Sequence, residues 1–147
     1  NGGDLYARSQ MLVASSMGAT AFQRGLGGMH ALAHPLGAVF NAHHGLLNAI
    51  LMPYVLLANE RAIASQLAEA ARYLDLPPSY TGFVDWVLGL RAQLQIPNRL
   101  SEIGIDGEQA ERIGQMAVED PSAGGNPIQF SADEYSAIFQ QAVAGDL

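Results

Sequence analysis

The chain has no cysteine in its 147 residues. That excludes a disulfide framework and any thiolate metal site, so an ion held here must rest on nitrogen and oxygen donors. Basic residues are scarce as well: seven Lys and Arg stand against 14 Asp and Glu, for a net charge of −7 and a pI near 4.8. The seven are scattered, and without a basic face to neutralise phosphates the chain is not expected to bind nucleic acid. No apolar run approaches the roughly eighteen residues of a membrane span. The first residues, NGGDLYARSQ, have neither a starting Met nor a signal-peptide pattern. Convincing strand alternation, internal repeats and low-complexity segments are all missing, so an all-α fold is expected. The length suits one domain, residues 1–147, large enough to bury a sizeable core.

What the chain does have is concentrated. All four histidines, His30, His34, His43 and His44, fall within Gly25–Asn59, where the sequence reads GLGGMHALAHPLGAVFNAHHGLLNAILMPYVLLAN with no neighbouring carboxylate. On a helix His30 and His34 stand at i and i+4, so their rings leave one face, a metal-ligand spacing. His30 and His44 would be about 21 Å apart in an unbroken helix. Two nitrogens on one ion cannot be more than about 4 Å apart, so a shared site needs a chain reversal. Pro35 and Gly37 weaken the helix, and Asn41-Ala42-His43-His44-Gly45 forms a plausible turn. The expected picture is a helix ending near Phe40, a tight turn, and a second helix opening at His44. A zincin protease also uses histidines at i and i+4, but it needs Glu directly after the first one, and that position is Ala31. A lone histidine on an apolar helix is more often a hydrogen-bonded core residue than a ligand. Four at ligand spacing around a helix reversal favour the metal reading.

The remaining segments read as helices. Asp4–Arg24 has Asp4 as N-cap and a small-residue middle that lets another helix approach, as in an ordinary buried helix. Gly25-Leu26-Gly27-Gly28 is a turn that permits close approach; no strand precedes it and no Lys-Ser/Thr follows, which argues against a phosphate cradle. Leu46–Asn59 is apolar all round, as a core helix is, with Pro53 as a kink. Arg61–Leu74 forms a separate amphipathic helix stopped by Pro77-Pro78. Thr81–Gln95 carries Phe83, Trp86 or Val87, Leu90 and Leu94 as its core stripe. Asp106 with Gln109, and Ser131 with Glu134, fit capping boxes for helices at Gly107–Val118 and Ala132–Val143. Between them PSAGGNP, Pro121–Pro127, reads as a plain linker. Trp86 and the tyrosines are assigned to packing.

Gly25–Asn59 resembles the metal-binding signature of the iron-containing (group III) alcohol dehydrogenases. HALAHPLGA followed by HHGLLNAILMP is long and specific, and the similarity extends over DLYARSQMLVASSMGATAF before it, AQLQIPNRLSEIGI after it and the closing AVEDPSAGGNP. The resemblance implies the C-terminal all-helical domain of the dehydroquinate synthase-like fold that these enzymes share. It makes His30 and His44 two metal ligands, and it places His34 beside the metal near the nicotinamide and substrate. His34 is then the catalytic residue, His34 and His44 lie at the cofactor, and His43 has no role. The other two ligands, an Asp and a His, would lie upstream of Asn1 in an N-terminal nucleotide-binding domain, the partner this domain implies. The implied cofactors are Fe²⁺ or Zn²⁺ and NAD or NADP, and the implied substrate is a small alcohol or aldehyde. A cytoplasmic enzyme is expected, and a homo-oligomer is open.

By the same resemblance PSAGGNP lines the substrate end of the cleft, although the family's basic residue after Asn-Pro is here Ile128. The divergent maleylacetate reductases resemble this stretch too but lack the HPLGA and HHG surroundings. A metal-free enzyme of that kind is one alternative, and a free-standing, non-catalytic helical interaction module is another. With two of four ligands outside the chain, residues 1–147 alone are expected to bind metal weakly or not at all and to show no dehydrogenase activity.

Overall fold

Asp4 caps the first helix of the computed structural model, which describes residues 2–147. Its side chain accepts the N–H of Ala7, and helix α1 runs over Leu5–Ala21 before a 3-10 turn at Phe22–Arg24. Then come α2 (Gly28–Phe40), α3 (His44–Tyr73), α4 (Tyr80–Gln93), α5 (Ala110–Glu119) and α6 (Ala132–Ala144). The described residues form no strand, so the fold is all-α as expected.

The reversal at the histidines falls where the turn residues put it. Asn41 ends α2 in the left-handed region, φ 51°, which asparagine tolerates. Next, His43 accepts the Leu46 N–H at its Nδ1 and so caps α3. α2 continues through Pro35, whose missing N–H leaves only the Ala31 carbonyl without its helical donor.

The core is built where α2 and α3 meet α5 and α6. Leu32, Leu36, Leu47, Ile50 and Leu51 are wholly buried there with Ile113, Tyr135 and Phe139. Each large aliphatic side chain buried in this way stabilises the fold by about 1.5–3 kcal/mol. α5 and α6 pack most closely at Gly114, where a Cβ would run into the Ser136 hydroxyl and the Ala132 carbonyl.

Four expectations are corrected. The two helices expected at Leu46–Asn59 and Arg61–Leu74 are one, α3, of 30 residues, because neither Glu60 nor any residue beside it breaks a helix, and the helix also runs on through Pro53. By length and hydropathy α3 passes for a membrane-crossing helix, but Leu47, Ile50, Leu51, Tyr54 and Val55 along it are buried in the core. On α4 the buried stripe is Tyr80, Val84, Val87 and Arg91, while Trp86, Leu90 and Leu94 face outward. The stripe rotates because Arg91 turns inward and donates to the Asn98 carbonyl, which also accepts the Tyr54 hydroxyl. α5 begins at Ala110, since Asp106 accepts the Glu108 N–H in a local turn instead of capping a helix. The capping box at Ser131 and Glu134 forms as expected.

α1 is the largest departure. None of its residues is buried, and Met11, Leu12 and Met17 are each about two-thirds or more exposed. Its small and apolar residues are suited to a helix–helix contact that no element of these residues provides.

Candidate functional site

The helix reversal places three imidazoles against one another. The His30 and His44 ring centres are 5.3 Å apart, those of His34 and His44 5.3 Å, and those of His30 and His34 5.8 Å. The last pair share the face that their i, i+4 spacing dictates, and His44 arrives from the first turn of α3. Phe22 closes one side, with its ring edge-on to His30 at 5.7 Å. His43 instead caps α3, its Nδ1 accepting the Leu46 N–H.

Asn48, one turn after His44, ties two of the rings together. Its Nδ2 lies 2.9 Å from His44 Nε2 and 3.3 Å from His30 Nε2. An amide N–H₂ only donates, so both Nε2 atoms present lone pairs to the one Asn48 nitrogen. Asn48 Oδ1 is buried without a partner. His30 is itself buried, and burial lowers its pKa below 6.5, with the neighbouring His44 and His34 lowering it further against an opposite pull from Asp120. A neutral imidazole, whose Nε2 lone pair here accepts from Asn48, is the form that binds a metal.

The sequence showed no carboxylate near the histidines, but the fold supplies one. Asp120 Oδ2 lies 2.8 Å from His34 Nδ1, across 86 residues of chain. Burial pushes the Asp120 carboxyl up, but the Ser122 N–H and His34 bonds outweigh it and hold its pKa below the usual carboxylate range. Among the described residues no group of three or more His, Asp or Glu is placed to hold a metal ion by itself.

Asp120 opens the stretch expected to be a plain linker, and that expectation is corrected. Pro121–Gly125 forms a 3-10 turn, and Asn126, 5% exposed, accepts the Gly28 N–H at 2.9 Å. Asn126 also exchanges two amide bonds with buried Asn59 of α3, at 3.1 and 2.8 Å. Gly125 lies so close to the Leu26 carbonyl that a Cβ would collide with it. Thus one short segment grips the start of α2 at Gly28 and its second turn at His34. Asp120, Asn48, Asn59 and Asn126 went unassigned in the sequence because each has a partner distant in the chain: His34, His30, Asn126 and Gly28 respectively. Ile128, at the expected basic position, packs on the core.

These features define a helical domain built around a histidine cluster at a helix reversal. The chain belongs to the Fe-containing alcohol dehydrogenase family, whose C-terminal part matches residues 1–143. It is 34% identical to the NADPH-dependent butanol dehydrogenase of Clostridium saccharobutylicum, over 94% of this chain and 38% of that protein. It is 30% identical to the lactaldehyde reductase of Escherichia coli K12, over 95% and 39%. The alcohol dehydrogenase from Oenococcus oeni has the same fold, with a TM-score of 0.85 at 31% identity over 97% of this chain and 39% of that one. The chain therefore spans about two-fifths of the length of these relatives.

Proposed function

We propose that this chain is the C-terminal ion-holding domain of an NAD(P)-dependent iron-containing alcohol dehydrogenase that interconverts small alcohols and aldehydes by hydride transfer. The observation that carries the reading is the approach of His30 Nε2 and His44 Nε2 to the one Asn48 amide nitrogen, which brings two ring nitrogens from two helices together. Two neutral imidazoles fit Fe²⁺ or Zn²⁺ as part of a nitrogen and oxygen donor set, with the remaining ligands coming from the rest of the protein. When bound, such an ion supplies Lewis acidity that lowers the pKa of an alcohol.

The chain's own residues do the rest. His30 and His44 hold the ion. His34, whose ring is stacked on that of His44 at 14°, has a side chain 41% exposed and would be open to a substrate hydroxyl. Imidazole exchanges a proton near neutral pH, so His34 accepts the alcohol proton in oxidation and returns it in reduction. His44 and His34 would be the residues of this domain that meet the nicotinamide. The names of the relatives support the reaction class: butanol dehydrogenase and lactaldehyde reductase both act on a small alcohol or aldehyde.

The exposed α1 supports a partner. In this reading it is covered by the N-terminal nucleotide-binding domain of the same protein, whereas a separately encoded partner would favour the non-catalytic module. An upstream α/β domain in the same open reading frame supports the enzyme, and a start codon at this boundary supports the module. The test of the chemistry is His34→Gln in the whole protein. Turnover should fall while ion content is unchanged, and unaltered turnover would contradict the role of His34.

A further inference from the structure

Imidazole has two nitrogens, and a proton carrier works only if the correct one is free. In a neutral ring the hydrogen bond made by one nitrogen decides which of them carries the proton. His34 Nδ1 faces Asp120 Oδ2 at 2.8 Å, and a carboxylate held below its usual pKa can only accept. The proton is therefore on Nδ1, and Nε2, which has no partner among the described residues, keeps the lone pair. We propose that Asp120 is a positioning residue that fixes the Nδ1–H tautomer and the ring orientation of His34.

Asp120 is itself fixed. Its Oδ1 accepts the Ser122 N–H at 2.8 Å while Oδ2 takes the ring, so both oxygens are committed. The turn that follows is anchored at its far end by Asn126 on Gly28, the first residue of α2. Asp120 and Asn126 thus join the same helix at two points, and the carboxylate cannot drift along α2 without breaking the buried amide pair. As a bond to a ring 41% exposed, the His34–Asp120 contact adds little to stability. Its consequence lies in orientation. When Nε2 takes a substrate proton, the imidazolium formed keeps its Nδ1–H on Asp120, and the negative carboxylate stabilises that charge. No electron or further group is required.

The inference rests on His34 being the proton carrier, and the experiment separates the two claims. In the whole protein, with ¹⁵N-labelled histidine and the ion removed, NMR reads the His34 tautomer. Wild type should show Nδ1–H, Asp120→Ala a mixture of tautomers, and Asp120→Asn, which keeps an accepting oxygen, should restore Nδ1–H. In the ion-loaded protein Asp120→Ala should lower kcat about ten- to a hundredfold with KM nearly unchanged, and Asp120→Asn should recover part of the loss. An Nε2–H tautomer in wild type would overturn the proposal even if Asp120→Ala fails to fold. So would an Asp120→Ala protein with wild-type tautomer and kcat. A His34→Gln protein with full turnover would overturn the carrier reading alone, while the tautomer measurement still decides the role of Asp120.

Discussion

Asn126 Oδ1 accepts the backbone N–H of Gly28 at 2.9 Å, joining residues 98 apart in sequence at the start of the helix that carries His30 and His34. Gly28 is the first residue of α2, so its N–H has no partner within the helix. Asn126 acts as an N-cap supplied from elsewhere in the chain.

Replacing Asn126 with Ala removes that cap and strands the buried Asn59 amide, whose two bonds to Asn126 are lost. Orphaning buried polar groups costs about 1–3 kcal/mol each, so Asn126→Ala should destabilise by about 2–4 kcal/mol in urea unfolding. A loss under about 1 kcal/mol would show that the clasp does not hold α2.

Close backbone approach gives a paired test. A Cβ on Gly114 meets the Ser136 hydroxyl and the Ala132 carbonyl, whereas a Cβ on Gly124 meets nothing within 4 Å. Gly114→Ala should cost about 1–3 kcal/mol or more by pushing α5 from α6. Gly124→Ala should be neutral within about 0.5 kcal/mol. Equal effects would contradict the packing described for α5 and α6.

Tyr135 is wholly buried, and its hydroxyl has no protein partner. Burial first and Asp120 second push its pKa up to about 12, so it stays neutral. Tyr135→Phe keeps the ring packed edge-on to Phe130 and removes an unpaired polar group. Stability should be unchanged or rise by about 1 kcal/mol. A clear loss would mean that the hydroxyl is bonded.

Acid should weaken the metal-free fold in two stages. His30 has a folded pKa below 6.5, so below 6.5 the unfolded chain binds more protons there than the folded one. Its contribution is complete above 6.5 and is lost as pH falls from 6.5 toward the lowered value. Asp120, lowered from 3.8, contributes above 3.8 and loses that contribution as pH falls further, through its folded pKa. The urea midpoint should drop as pH falls below about 6.5, and His30→Gln should flatten that first limb. A flat wild-type profile across this range would contradict the burial of a neutral His30.

Much of this arrangement was legible in the sequence because it is local. The turn at Asn41, the opening of α3 at His44 and the capping box at Ser131 and Glu134 each depend on residues within a few positions of one another. The histidine spacing required a reversal, and the reversal is there. Other features were not legible, most of them because their partners are distant. The continuity of α3 past Asn59, where two helices were expected, is one feature that was missed. On α4 the buried stripe includes Arg91, which donates to the Asn98 carbonyl, a contact that apolar periodicity does not show. Asp120 has no histidine near it in sequence and touches one in space. The small residues of α1 read as those of a buried helix, yet none of them is buried among the described residues.

The most direct test of the central claim is elemental analysis of the whole protein, wild type beside His30→Ala and His44→Ala. About one equivalent of iron or zinc per chain in wild type, lost together with dehydrogenase activity in both variants, is the expected result. Full ion content in both variants would contradict the assignment and leave the histidines with a structural role.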